Sequence, residues 1–163
     1  MIRVAVYGYG NVGRYVVDSL LNLDSVDIAY VVTKTPRSDL SVNFITDVSV
    51  PLTDKSIDVI LECINDIDVA ESIAKESFAN NKTLISCNKR LWSQRWMRFG
   101  SSDGTALLNS LACNSEGTTA YPEIDITLSN VGKLDQNNLY SFRGCDGRCA
   151  AYVMVHDLIT QIL

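Results

Sequence analysis

Gly8, Gly10 and Gly13 are spaced G-x-G-x-x-G between the apolar run Ile2 to Tyr7 and a helical pattern of Val12, Val16, Leu20 and Leu23. A glycine turn between strand and helix suits an anion. Gly8 permits the tight turn, Gly10 lets a phosphate approach the backbone, and Gly13 lets helix and strand pack closely. With Tyr9 inside the same turn, the amides around Asn11 and Val12 and the helix dipole behind them would hold a dinucleotide's paired phosphates. A turn used only for packing is the plainer reading, and the strand-helix-strand context weighs against it.

Past such a motif by about 20 residues, a carboxylate normally accepts the adenosine ribose hydroxyls and selects NAD. This chain has Thr33, Lys34 and Thr35 there, with Arg37 close behind. Missing carboxylate and added cations favour NADP over NAD, because a 2'-phosphate needs positive charge and donors. Lys34 and Arg37 read equally well as solvated surface charges. Farther on, Ser86-Cys87-Asn88-Lys89 closes an apolar run, and open α/β sheets collect ligands at the C-terminal ends of their strands. Lys89 there could bind a substrate carboxylate or assist proton transfer, although by position alone a surface lysine opening a helix is the plainer account. The five cysteines are an odd number in a core of ordinary size and read as reduced thiols. Cys145 and Cys149 have no second ligand pair nearby, so no metal is expected. The single histidine, His156, falls in the last helical run, away from the strand ends, and reads as structural or surface.

The elements that must carry these residues alternate. Val26 to Val32 is a second β-branched run, so the first thirty-odd residues spell β-α-β with the crossover a parallel pair needs. Ile57 to Ile64 reads as a strand, and Asp66 caps a helix with Ile67, Ala70, Ala74 and Phe78 on one face. Asn80 and Asn81 then turn the chain into a strand over Thr83 to Cys87. Between Pro36 and Pro51 the pattern is ambiguous, with Val42 to Val50 a short strand or a loop. A short amphipathic helix is predicted over 90–99 before a turn at Gly100 to Gly104, followed by strands at Ala106 to Cys113, Glu123 to Ser129 and Leu139 to Phe142. The polar stretch Asn130 to Asn138 separates the last two, and a helix from Arg148 bears Ala151, Met154, Val155, Leu158 and Ile162. The expected fold class is α/β, a Rossmann-like, doubly wound, mainly parallel sheet with a small C-terminal strand-helix extension. It forms one domain over 1–163, with a core over 1–117 and returning strands and helix over 118–163.

At 163 residues the chain is long enough for one buried core and too short for two ordinary domains. A net charge of -5 argues against nucleic acid as partner, since phosphate backbones draw on clustered Lys and Arg. No apolar run reaches the ~20 residues that span a bilayer, and the start leads straight into a strand rather than a secretory leader, so no membrane association and a cytoplasmic location are expected.

Three blocks resemble the homoserine dehydrogenase family. The first is Val6-Tyr7-Gly8-Tyr9-Gly10-Asn11-Val12-Gly13, common to many dehydrogenases. The second and most specific is Ile57-Asp58-Val59-Ile60-Leu61-Glu62-Cys63 with Asn81-Lys82-Thr83-Leu84-Ile85-Ser86-Cys87-Asn88-Lys89-Arg90-Leu91. The third runs from Phe142 to Ala151 with Val155 and Asp157, similar to the Gly-rich turn and returning helix that complete the family's nucleotide domain, and it departs from them at Cys145 and Asp146. Between the second and third blocks the family inserts a long substrate domain. Here Asn109 to Gly117 resembles the strand entering it and Glu123 to Phe142 the return path, with almost nothing between.

The resemblance implies that Gly8, Gly10 and Gly13 hold the pyrophosphate of NADP or NAD. It also implies that Cys63, Ile64, Asn65 and Asn88 line the nicotinamide ribose and that Lys89 faces a small amino-acid substrate. The activity implied is hydride transfer between aspartate 4-semialdehyde and homoserine. The family's second catalytic lysine and its acidic partners belong to the missing domain and have no counterpart here. Two alternatives stand beside that activity: a nonenzymatic nucleotide-binding sensor or partner subunit, and a reductase of another carbonyl or imine. Loss of a covering domain would leave sheet edge or apolar surface to hide, so a homodimer is expected.

Overall fold

The structure is a computed structural model that describes residues 1–38, 41–95, 107–109, 123–127, 139–143 and 147–162. β1 (Ile2–Tyr7) is β-branched and apolar, and Val4, Ala5, Val6 and Tyr7 have no exposed surface. Burial on both faces is what a central parallel strand requires. The chain leaves β1 through the glycine turn into α1 (Gly13–Leu20), whose Val16, Val17 and Leu20 point into the core, and returns as β2 (Val26–Val32). Leu23 lies just past the helix and still packs on that core.

The ambiguous segment resolves into a two-residue strand, β3 (Phe44–Ile45), and a single helical turn, α2 (Val50–Thr53), started by Pro51. Next come β4 (Val59–Glu62), α3 (Ile67–Ala79), β5 (Thr83–Ser86) and α4 (Lys89–Arg95). Asp66 caps α3 as expected, its carboxylate accepting from the amides of Asp68 and Val69 at 3.0 and 3.2 Å. Asn81 turns the chain out of α3 with a φ of 55°. Lys82 is buried behind that turn, its ammonium donating to the carbonyls of Asp54 and Ile57 at 2.6 and 3.0 Å. α4 begins one residue before the predicted helix, and the predicted residues after Arg95 lie outside the described ones.

β6 (Leu107–Asn109) completes a six-stranded sheet of order β3-β2-β1-β4-β5-β6, parallel at every ladder. That is the doubly wound order, in which the connections reverse direction between β1 and β4. β7 (Glu123–Thr127) and β8 (Leu139–Arg143) form a separate antiparallel pair, and the stretch between them lies outside the described residues.

The final helix, α5 (Gly147–Gln161), is more than an extension. Its Ala150, Ala151, Met154, Val155 and Leu158 are buried with Val16, Val17 and Leu20 of α1 against Val4 and Val6 of β1. α1 and α5 thus cover one face of the sheet. Leu52, Ala70, Ile73, Ala74, Phe78 and Leu91, from α2, α3 and α4, cover the other with Ala5, Tyr7, Ile60 and Leu84. Arg95 locks α4 onto α3 through Asp68 at 2.5 Å and Glu71 at 2.6 Å, and Lys75 and Arg95 hold the Glu71 carboxyl down at about 2. No described helix is long and apolar enough to cross a membrane.

Candidate functional site

The glycine turn stands at the reversal between β1 and β4, where an open α/β sheet leaves a crevice. Its three glycines have different reasons to be there. Gly8 has a φ of +95°, and a Cβ on it would stand 2.9 Å from the Cys63 carbonyl, so only glycine fits. A Cβ on Gly13 would run into the Gly8 carbonyl. Gly10 is exposed and meets no atom within 4 Å, which leaves open space over the start of α1. Arg14 is the first residue whose amide closes onto the turn, bonding the Gly10 carbonyl at 3.3 Å. The amides of Asn11 and Val12 precede it, in the position from which a helix start binds an anion.

The start of α5 seals the far side, because a Cβ on Gly147 would strike the Asn11 carbonyl. That contact was missed from sequence, where Gly147 showed only as part of a glycine-rich turn. Two exposed arginines border the same corner. Arg14 donates to the Tyr15 hydroxyl at 3.2 Å, the Arg148 guanidinium lies 5.2 Å from the Tyr15 ring, and hydrogen bonding from Arg148 and then the nearby charge of Arg14 lower the Tyr15 hydroxyl from its ordinary value.

The loop after β2 holds the residues expected to choose between cofactors. Thr33 donates its amide to the Ile45 carbonyl at 2.9 Å and its hydroxyl to the Thr35 carbonyl at 2.6 Å, and Lys34 and Arg37 are exposed beside it. Arg37 reaches the turn, with its guanidinium 5.1 Å from the centre of the Tyr9 ring. That ring packs edge-on against Phe44 at 5.1 Å, so β3, which lies within the stretch read as a short strand or a loop, fixes one wall of the site.

Cys63, Ile64 and Asn65 lead from β4 across the crevice. The Cys63 amide bonds the Tyr7 carbonyl at 2.8 Å, Ile64 is half-buried, and Asn65 is exposed. Asn88 is buried, and its side chain spans the two strand ends, donating to the Ile64 carbonyl at 2.9 Å and accepting from the Leu91 amide at 3.1 Å. Lys89 opens α4 directly after it, and its side chain lies outside the described residues. The sequence-predicted residues of the turn, of the loop after β2 and of 63–65 and 88 therefore meet at the C-terminal ends of β1, β2, β4 and β5. His156 is exposed on α5.

Glu62 was not singled out from sequence, yet it is the only acidic residue among the described ones with no exposed surface. Its two oxygens accept from the Ile64 amide at 2.6 Å and the Ser86 hydroxyl at 2.5 Å. Ser86 in turn accepts from the Asn88 amide at 3.0 Å, so a polar chain braces the ends of β4 and β5. Burial pushes the Glu62 carboxyl up to about 7, against the opposing pull of both donors.

The arrangement fits a bound dinucleotide. Open space at Gly10 and unclosed amides ahead of α1 suit a pyrophosphate, and the Thr33 to Arg37 loop brings Arg37 against Tyr9 of the same turn.

No protein-family model and no curated protein matches the chain. Solved structures do. A homoserine dehydrogenase from S. aureus superposes with a TM-score of 0.58 at 20% identity over 66% of this chain and 32% of its own. One from Thiobacillus denitrificans gives 0.52 at 19% identity over 62% of this chain and 26% of its own. An oxidoreductase from Bacillus cereus gives 0.51 at 15% identity over 67% and 34%. The Rossmann-like α/β fold is thereby shown, and the chain spans about a third of the length of these proteins or less.

Proposed function

We propose that this chain binds a nicotinamide dinucleotide, NADP in preference to NAD, and transfers hydride between aspartate 4-semialdehyde and homoserine. The observation that carries the binding half is the contrast among the glycines: Gly8 and Gly13 are closed by backbone, while Gly10 faces open space at the start of a helix. The cofactor supplies the hydride chemistry when bound. The chain's own work is to hold the phosphates at 8–13, to place the ribose beside Cys63, Ile64, Asn65 and Asn88, and to bring Lys89 to the substrate. The substrate rests on the sequence resemblance and on the kinship of fold with homoserine dehydrogenases.

Calorimetric titration with NADPH and NADH, paired with an assay of homoserine-dependent NADP reduction beside a full-length homoserine dehydrogenase, tests both halves. Binding with turnover supports the proposal, binding without turnover leaves a nucleotide-binding sensor or partner subunit, and no binding of either dinucleotide overturns it.

The cofactor preference has its own test. Charge-assisted bonds to a phosphate are among the stronger polar contacts. Lys34→Glu with Arg37→Glu should therefore weaken NADPH at least about tenfold and leave NADH within about threefold. Equal losses for both cofactors would assign these cations to the surface.

The proposal also includes a homodimer. The β7–β8 register pairs Ile124 with Phe142 and Ile126 with Tyr140, and the alternate positions include Glu123 with Arg143 and Asp125 with Ser141. Such a two-stranded sheet is marginal alone, and a second copy would supply cover. Sedimentation at micromolar concentration should give twice the chain mass, and a monomer would remove the dimer.

A further inference from the structure

The first residues beyond the paired ends of β4 and β5 are both cysteines. Glu62 and Ser86 are the last partners in the ladder, and the Cys87 amide bonds the Glu62 carbonyl at 3.2 Å, so Cys63 and Cys87 leave the sheet side by side. Glu62 and Ser86 bond each other on one face. By alternation the two cysteines take the opposite face, where both pack against the cluster formed by α1 and α5.

Their side chains are neighbours on that face: Cys87 is the first cause that raises the Cys63 thiol, and the Cys63 Sγ lies 3.7 Å from the Met154 sulfur. Both are free thiols and only half-buried. Adjacent strands run about 4.8 Å apart, inside the Cα separation a disulfide spans, while the bond also asks the Cβ atoms to close to about 3.8 Å. A residue fixed in mid-ladder resists that closure. These two lie past the last pair, where the backbone is already turning away.

We propose that Cys63 and Cys87 are a modification site, closing to a reversible intramolecular disulfide by exchange with a low-molecular-weight disulfide such as oxidised glutathione. One cysteine thiolate attacks a glutathione sulfur, breaking its S–S bond and expelling a glutathione thiolate. The second cysteine, as thiolate, attacks the protein sulfur of the mixed disulfide and expels the other glutathione. The two protons lost by the cysteines are taken up by the two departing thiolates. The protein pair is oxidised by two electrons and one glutathione disulfide is reduced to two glutathiones. The neighbouring Cys87 and then burial raise the Cys63 thiol well above its ordinary value, which slows exchange through it without moving the end point. The new bond would tie β4 to β5 under the glycine turn, since Cys63 lies directly beneath Gly8 and Gly13. The inference does not depend on which ligand that turn holds.

Full-length protein is equilibrated with oxidised glutathione at pH 8, alkylated and peptide-mapped, with thiols counted in denaturant. The expected result is the Cys63 and Cys87 peptides joined to each other without glutathione and released by reductant. A variant carrying Cys113→Ser, Cys145→Ser and Cys149→Ser should form the same link, and Cys63→Ala should instead leave a glutathione adduct on Cys87. Recovery of Cys63 and Cys87 as separate alkylated peptides from wild-type protein at equilibrium, or joined to any of the other three cysteines, overturns the proposal. The wild-type map decides even if a variant fails to fold.

Discussion

Gly10→Asp should fold like the wild type and lose dinucleotide binding, whereas Gly13→Ala should keep the binding residues and lose much of its stability. At Gly10 nothing stands within 4 Å of an added Cβ, so the aspartate meets no backbone and stability should change by less than about 0.5 kcal/mol. A carboxylate there faces the pyrophosphate. Two like charges about 4 Å apart near a protein surface repel by roughly 4 kcal/mol, so NADPH affinity should fall by two to three orders of magnitude. At Gly13 the added carbon meets the Gly8 carbonyl, and because that is backbone just off β1, relief requires helix and strand to separate. Overpacking of this kind costs about 3 kcal/mol or more. Urea unfolding and NADPH titration of the two variants check the contrast. If Gly10→Asp binds like the wild type, the phosphate site lies elsewhere.

The same glycines explain how much of the site could be read in advance. Their spacing is set by local geometry, a turn and the helix after it, and local geometry is written in consecutive residues. β1 and β2 were legible to the residue for a related reason: a strand covered on both faces has to be a continuous apolar run. β4 was harder, since the apolar run Ile57 to Ile64 outlasts the strand at both ends. Ile57 is buried before the ladder begins, and residues 63 and 64 already form the crevice. The segment holding β3 and α2 carried almost no signal, because a two-residue edge strand and one helical turn are too short for any period to show. What stayed hidden at the site was tertiary. Phe44 against Tyr9 and Gly147 against Asn11 join residues remote in sequence, and no window of neighbours contains both. Glu62 was hidden differently. A carboxylate at the end of an apolar strand is itself a signal, since a charged residue is almost never fully buried without partners, and its partner Ser86 was in view in the same family-like block.

Glu62 also makes the stability of the chain depend on pH. Its carboxyl is raised from an ordinary 4.5 to about 7 because burial disfavours the anion more than Ser86 and the Ile64 amide favour it. A raised carboxyl means that between those two values the folded chain holds a proton the unfolded chain has released, so stability must fall as pH rises through that window. Below about 4.5 both states are protonated and the group is neutral in the balance; above about 7 both are ionised and the loss is complete. At about 1.4 kcal/mol per unit, the full loss is on the order of 3 to 4 kcal/mol, a large share of the 5–15 kcal/mol that holds a typical domain together. Urea midpoints at pH 5 and pH 8 should therefore separate strongly in the wild type, with most of that difference gone in Glu62→Gln, which cannot ionise. Ser86→Ala removes a donor that favours the anion, so it should move the upper end of the window higher while loosening Asn88 at the mouth of the crevice. Parallel pH profiles for wild type and Glu62→Gln would mean that the buried carboxyl is relieved by solvent and that the brace between β4 and β5 is looser than its hydrogen bonds imply.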